Sequence, residues 1–218
     1  MIDAVLFDVD GTLVDSNDLH AGAWQEAFRH FGIAIPFEKI RGQIGKGGDN
    51  LIPALLPPDI VERLQEEIEH FRSELFRRDY LHRSRPFPAA TELLQRLHDD
   101  GTRLVLATSA KQAELDHHIE RLGCRDLLTA TTSKDDVEHS KPCPDIFEAA
   151  LGKVQPLNGG QVFVVGDTPY DIAAASKIGV PAIAVRCGGF PEEELKGAAA
   201  IYDGPGDLIA SYPGWLAG

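Results

Sequence analysis

The sequence predicts an α/β fold: a mostly parallel sheet with helices on both faces, split by an all-helical insert. Three features of the 218-residue chain carry that prediction. A short apolar run, Ala4-Val5-Leu6-Phe7, ends in acids and a glycine, the shape of a buried parallel strand opening into a functional loop. From Ser16 to about Arg85 the apolar residues recur at helical spacing. After Pro86, strand and helix patterns alternate.

Taken in order, His20, Ala23, Trp24, Ala27, Phe28 and Phe31 recur at three and four residues, and Gly32 supplies a stop, which defines an amphipathic helix. Asp59, after Pro57-Pro58, is the candidate N-cap of a longer helix with the stripe Val61, Leu64, Ile68, Phe71 and Leu75. Helix 88–100, strand 103–107, helix 111–122, a short strand near 128, helix 143–152 and strand 162–165 follow, then helix 170–178 and strand 182–185. Residues 1–15 and 87–218 are thus expected to form the core, and residues 16–86 an inserted helical unit.

Composition narrows the function classes. With 43% hydrophobic and 25% charged residues the chain is not mainly disordered. No apolar run approaches the ~18 residues of a membrane span, and Asp3 stands where a secretory signal carries bases, so a cytoplasmic protein is expected. Cys124, Cys143 and Cys187 lack C-x-x-C spacing and are expected as reduced thiols. The net charge of -13 argues against nucleic-acid binding. It is unevenly spread: residues 16–86 hold 11 acids and 10 bases, the remainder 23 acids and 11 bases. Within the insert Arg72, Arg77, Arg78, Arg83 and Arg85 face only Glu74 and Asp79, and read as a solvated helix face able to attract a small anion.

Parallel sheets bind ligands beyond the carboxyl ends of their strands, and here the strong strands deliver polar residues to that edge. The first delivers Asp8-Val9-Asp10-Gly11-Thr12, the second Thr108-Ser109, and the third Gly166-Asp167 with Asp171 four residues on. Ser140-Lys141-Pro142 lies between the last two, its proline biasing Lys141 toward an extended conformation. Four carboxylates in one crevice repel each other unless a cation or protons intervene, and an all-oxygen set without His or Cys suits Mg²⁺. A phosphoryl group brought there needs donors and positive charge, which the threonine and the lysine supply.

The segments Asp8-Val9-Asp10-Gly11-Thr12-Leu13-Val14-Asp15-Ser16, Thr108, Lys141-Pro142-Cys143-Pro144-Asp145 and Gly166-Asp167-Thr168-Pro169-Tyr170-Asp171 resemble the motifs of the haloacid dehalogenase superfamily. The resemblance is to its branch with a helical cap after the first strand, which includes phosphoglycolate phosphatase-like and β-phosphoglucomutase-like proteins. It implies a Rossmann-like core with residues 16–86 as the cap. It implies Asp8 as the nucleophile that forms an aspartyl-phosphate, and Asp10 as acid for the leaving group and base for water. Thr108, with Ser109 beside it, and Lys141 are implied to hold the phosphoryl group. Asp8, the carbonyl of Asp10 and Asp167 are implied to bind Mg²⁺, with Asp171 acting through water or as an orienting group. Dehalogenating and phosphonate-cleaving relatives lack an acid at the position of Asp10, so a phosphate ester is the expected substrate. Two departures bear on the phosphate contacts: Ser109 stands where many relatives have Asn, and Pro169 removes a backbone donor.

The expected reaction is hydrolysis of a small phosphorylated metabolite, such as a phosphoglycolate-like acid or a sugar phosphate. A sugar phosphomutase is the alternative, but such relatives often carry Glu-Asp at the last motif and Arg in the cap loop, where this chain has Gly166-Asp167 and Lys46. A non-catalytic metabolite-binding protein is disfavoured because Asp8 and Asp10 are both present. The cap loop is expected at residues 42–50. There Gly45 and Gly47 flank Lys46, the loop's one cation, which is expected either to meet a second anionic group of the substrate or to be solvated. It is not a dinucleotide fingerprint, since it follows no strand and lacks the third glycine. His20 also occurs in sugar-phosphate mutase relatives and is expected as a packed or hinge residue. His117 and His118 lack metal spacing and are expected at the surface or in the core. Cys187 has no identifiable base and is expected to be structural.

Overall fold

The computed structural model describes residues 2–212 and 214. Strand β1 (Ile2–Phe7) is buried at all six positions, and its one acid, Asp3, accepts from the amides of Asn158 and Gly160 at 2.6 and 2.9 Å. A tight turn leads to β2 (Val14–Asp15) and then to α1 (Asn17–His30), α2 (Phe37–Arg41), α3 (Gly48–Leu55) and α4 (Pro58–Leu75). A π-helical turn at Phe76–Tyr80 and a 3₁₀ turn at Leu81–Arg83 follow. Strand β3 (Arg85–Pro86) pairs antiparallel with β2, so the helical stretch leaves and returns through one short ladder.

Alternation then takes over: α5 (Ala90–Asp99), β4 (Arg103–Ala107), α6 (Gln112–Leu122), β5 (Ala130–Thr132), α7 (Asp145–Gly152), β6 (Gln161–Gly166) and α8 (Pro169–Lys177). The chain continues with β7 (Ala182–Val185), α9 (Glu192–Leu195), β8 (Ala200–Tyr202) and α10 (Pro205–Ser211). Six strands form one parallel sheet in the order β5-β4-β1-β6-β7-β8. β1 is central, with β4 on one side and β6 on the other, so the switch point where such sheets bind ligands lies at its carboxyl end.

Side chains alternate across a strand, and the sheet is covered on both faces for that reason. Val5, Phe7, Leu104, Leu106 and Val165 pack with Leu93, Leu97, Leu115 and Ile119 of α5 and α6. Ala4, Leu6, Val105, Ala107 and Val164 pack with Ile146, Phe147, Ile172 and Ala175 of α7 and α8. A separate cluster of Trp24, Phe28, Ile40, Leu51, Ile52 and Ile68 closes within the helical segment.

Local details depart from expectation in two places. Helix α4 begins at Pro58 with Pro57 in the cap position, so Asp59 sits in the first turn, where an acid complements the helix dipole, and is not the cap. The short strand expected near 128 lies at Ala130–Thr132, because Arg125–Leu127 forms a 3₁₀ turn. Gly32, at φ +74°, follows the end of α1 in a conformation that favours glycine. Among the described residues no helix is long and apolar enough to cross a membrane.

Candidate active site

The pairing register sets the site. Phe7 is level with Leu106 on one side and Val165 on the other, so the residues just past these strands share one edge. Asp8 is still held by the sheet, its amide donating to Val165 O at 2.8 Å. The following turn is tied back by the amides of Thr12, Leu13 and Val14, which all donate to Val9 O. Gly11 is required there on two counts: its φ is +82°, and a Cβ would lie 2.3 Å from an Asp167 oxygen.

At the bottom of this edge Lys141, with no solvent exposure, donates to Asp8 Oδ1 at 2.5 Å and to Ala107 O at 3.2 Å, and lies 2.8 Å from Asp171 Oδ1. Asp171 is set by a capping box at the start of α8: its Oδ2 accepts from the amide and hydroxyl of Thr168 at 3.1 and 2.6 Å. The Thr12 hydroxyl lies 3.0 Å from Asp8 Oδ2 and 3.1 Å from Asp167 Oδ1, and Asn17 donates to Asp167 Oδ2 at 2.8 Å. Asp8, Asp167 and Asp171 are all buried, with one oxygen from each within 4.8 Å of the others. Burial pushes the Asp8 carboxyl up to about 7, against the pull of Lys141 and with the help of Asp171 and Asp10. Burial, with Asp8 and Asp171 nearby, also raises Asp167 well above the usual carboxylate range. Burial alone would lower the lysine, but Asp171 and Asp8 hold it charged.

Asp10 faces away from this trio. Its Oδ1 accepts from Ser16 Oγ at 2.6 Å and meets His20 Nε2 at 2.9 Å and His118 Nε2 at 3.4 Å, while Oδ2 lies 3.4 Å from Thr108 Oγ1. Burial opposes ionisation here, yet the two histidines hold Asp10 well below the usual carboxylate range. The same contact acts on His118: burial disfavours its charge, but Asp10 and Glu114 raise its pKa. Two acids two residues apart are thereby given opposite electrostatic surroundings.

A cavity of about 480 Å³, counting its open mouth, rises from Asp8, Asp10, Thr108 and Ser109 to Trp24, Ile44, Gly45, Lys46, Gly47 and Arg72 of the helical segment. The loop around Lys46 is seated on the core. Asp49 accepts from the Ser140 amide at 2.9 Å, Asn50 donates to Ser140 O at 2.8 Å, and Tyr170 donates to Gly42 O at 2.5 Å. Gly45 and Gly47 permit that approach, since a Cβ would lie 2.7 Å from Thr168 at the first and 2.1 Å from Ser140 Oγ at the second. The ammonium of Lys46 donates to Gln43 at 2.6 Å and sits 4.6 Å from the Tyr170 ring centre.

Several expectations need correction. Arg77, Arg78, Arg83 and Arg85 are exposed as expected, but Arg72 is not part of a solvated face. It is 9% exposed, bonded to Glu114 at 3.3 Å and to His20, with its guanidinium over Trp24 and Phe76. His20 does pack, stacking on Phe76 at 4.0 Å, and it also reaches Asp10. His118 lies in the core, one of its two expected places, and there it neighbours Asp10. Asn17 and Glu114 carry no expectation from the sequence, and Ser16 carries one only as the last residue of the first motif. A signal existed for Arg72, which lies on the Ile68–Leu75 stripe of α4, and for Glu114 and His118, which share the buried face of α6 with Leu115 and Ile119. The three cysteines are free; Cys187 Sγ lies 3.2 Å from Gly11 O, and burial next to Asp167 pushes its thiol up to about 12, which suits a structural role.

A parallel sheet that gathers acids and a buried lysine at its switch point, beneath a helical segment inserted after β1, defines a hydrolase class, and residues 5–185 match the haloacid dehalogenase-like hydrolase family. The chain belongs to that family. It is 26% identical over 185 residues to fructose-1-phosphate phosphatase YqaB of Escherichia coli (strain K12), spanning 84% of this chain and 95% of the relative. It is 29% identical to the phosphoglycolate phosphatase of Vibrio cholerae, over 82% of this chain and 81% of the relative. Among solved structures, a hydrolase from Pseudomonas syringae superposes with a TM-score of 0.88 at 28% identity, over 95% of this chain and 96% of that one.

Proposed function

We propose that the protein is a Mg²⁺-dependent phosphatase that hydrolyses a small phosphorylated metabolite through an aspartyl-phosphate on Asp8, with residues 16–86 acting as a cap over the core. The observation that carries this reading is the buried Lys141 ammonium on Asp8 at the foot of a cavity, with a second acid, Asp10, held apart from it in a different network. A lysine locked onto the attacking carboxylate is placed to hold phosphoryl oxygens once the ester arrives. The names of the two phosphatase relatives are in keeping with this chemistry.

The acidic trio fits a hard divalent cation. Three buried carboxylates face one ammonium, all donors are oxygen, and burial drives Asp8 and Asp167 toward protonation when no cation offsets their charge. Asp8, Asp167 and the backbone carbonyl of Asp10 would hold Mg²⁺. Asp171, whose Oδ2 is fixed by Thr168 in the capping box and whose Oδ1 lies 2.8 Å from Lys141, acts through water or as an orienting group. When bound, the ion supplies positive charge to the phosphoryl oxygens.

The residues of the chain divide the rest. A carboxylate oxygen of Asp8 attacks phosphorus while the bond to the leaving oxygen breaks; Asp10, ionised in the free protein, takes up a proton as the anionic ester binds beside it and delivers that proton to the leaving oxygen. His118, whose pKa Asp10 and Glu114 raise, is the group beside Asp10 placed to pass it that proton. Asp10 then takes a proton from a water that attacks the aspartyl-phosphate, releasing orthophosphate and restoring Asp8. Thr108, Ser109 and Lys141 hold the transferred group through both steps. The test is a screen of phosphorylated metabolites with Mg²⁺, scoring orthophosphate against isomerised sugar phosphate. Isomerisation without net release would replace the phosphatase with a mutase.

A further inference from the structure

A line of four side chains runs from Asp10 to α6. Asp10 Oδ1 meets His20 Nε2 at 2.9 Å, His20 Nδ1 meets Arg72 Nη2, and Arg72 Nη1 donates to Glu114 Oε1 at 3.3 Å. The middle pair comes from α1 and α4, while Asp10 follows β1 and Glu114 lies on α6, which packs on the sheet. Phe76 carries that pair: the His20 ring stacks on it at 4.0 Å, and the Arg72 guanidinium sits 4.6 Å from its centre. His20, Arg72 and Glu114 are all buried.

A guanidinium has N–H donors and no acceptor, so His20 Nδ1 must accept from Arg72, which leaves the ring proton on Nε2, facing Asp10. With one nitrogen protonated and the lone pair of the other occupied, the imidazole has no place for a proton from Asp10. Arg72 is in turn held by Glu114, and it is the one hydrogen-bond partner of that carboxylate among the described residues. Taking the phosphatase reading as its basis, we infer that Glu114 is a positioning residue: it keeps Arg72 on His20 Nδ1, and so directs the Asp10 proton to the leaving oxygen rather than to the imidazole. Glu114 does not line the cavity, so it acts through its neighbours. A competing route runs through His118, one turn further along α6, whose charged form Glu114 favours.

The experiment reads the His20 nitrogens by proton–nitrogen correlation in histidine-labelled protein with Mg²⁺, His20→Gln supplying the assignment. It also measures kcat/KM for glycerol monophosphate, whose alkoxide needs a proton to leave, and for para-nitrophenyl phosphate, whose phenolate needs little help. Wild-type His20 should have Nδ1 bare and Nε2 protonated. Glu114→Ala releases Arg72, so both tautomers of His20 should appear, and kcat/KM should fall about 10-fold for the alkyl ester but less than about 3-fold for the aryl ester. Glu114→Gln keeps an oxygen for Arg72 and should return both readouts to within about 3-fold of wild type. A loss as large in Glu114→Gln as in Glu114→Ala would assign the effect to charge acting on His118 and overturn the inference. Equal falls on the two esters, the mark of a merely structural residue, or an unchanged His20 in Glu114→Ala would overturn it too. So would a wild-type His20 with its proton on Nδ1, a result that needs no variant to fold. Orthophosphate release from neither ester would instead overturn the phosphatase reading, while the nitrogen signals still decide whether Glu114 holds Arg72 on His20.

Discussion

His118 Nε2, on α6, lies 3.4 Å from Asp10 Oδ1 and is fully buried, so a helix packed on the sheet supports the acid that His20 of α1 also meets. His118→Leu removes this contact and leaves Asp10 to His20 and Ser16. The expected outcome is a fall in kcat of about 10-fold, with a smaller change in KM, because a buried charged neighbour of Asp10 is lost. Steady-state kinetics on a good substrate checks the split; a change confined to KM would assign His118 to substrate binding.

Asp8→Asn exchanges the carboxylate for a near-isosteric amide that is a poor nucleophile. Turnover should fall by more than about 100-fold with the fold intact. Asp10→Asn should also lose rate but keep more of its Mg²⁺ affinity, because the metal contact proposed for Asp10 is its carbonyl. Calorimetric Mg²⁺ titration of both variants separates the roles, and equal affinity losses would count against them.

Lys141→Met leaves Asp8 and Asp171 buried without their cation. Breaking a buried ion pair from one side costs about 3–5 kcal/mol, so the variant should unfold at clearly lower denaturant than wild type when both are held in EDTA. An unchanged midpoint would mean that the acids are already neutralised by protons.

Metal and pH are linked through the raised carboxyls. Asp8, at about 7 in the fold against 3.8 as a free group, and Asp167 make the metal-free folded state bind more protons than the unfolded chain. The Asp8 contribution to stability is therefore fully present below about pH 4 and is lost as pH rises through about 7, and that of Asp167 is lost in the same direction. Mg²⁺ offsets that loss, so its gain in Tm should be larger at about pH 8 than at about pH 5, with ~2–4 °C for each kcal/mol in a chain of this size. Differential scanning fluorimetry at the two pH values reads this directly. In activity assays EDTA should abolish turnover, and Ca²⁺, with its looser coordination, should inhibit.

Lys46→Ala tests the loop that joins α2 to α3. Since the ammonium ties Gln43 to the Tyr170 face, its loss should loosen the seated loop and lower kcat/KM by a similar factor, about 3-fold to 10-fold, for natural and aryl phosphates alike. A loss confined to substrates with a second anion would return Lys46 to substrate recognition.

The order of strands, the acids they end in and the helical interruption were legible along the chain because each rests on local pattern: an apolar run, a 3.6-residue period, a proline or glycine at a turn. Thr168 and Asp171 are such a case, three residues apart and joined in one capping box. Asp8, Lys141 and Asp167 were legible as a group only because sheet topology brings strand ends to one edge. The partners of Asp10 were not, nor was the fate of Arg72. Period marks His118, Glu114 and Arg72 as facing inward, but it does not say what they face. Arg72 meets Glu114 across 42 positions, and His118 meets Asp10 across more than a hundred. Whether a polar group on an apolar stripe is solvated, paired or turned toward a reacting carboxyl depends on which distant element packs over it. Burial then converts that packing into charge state, and only the tertiary structure supplies the burial.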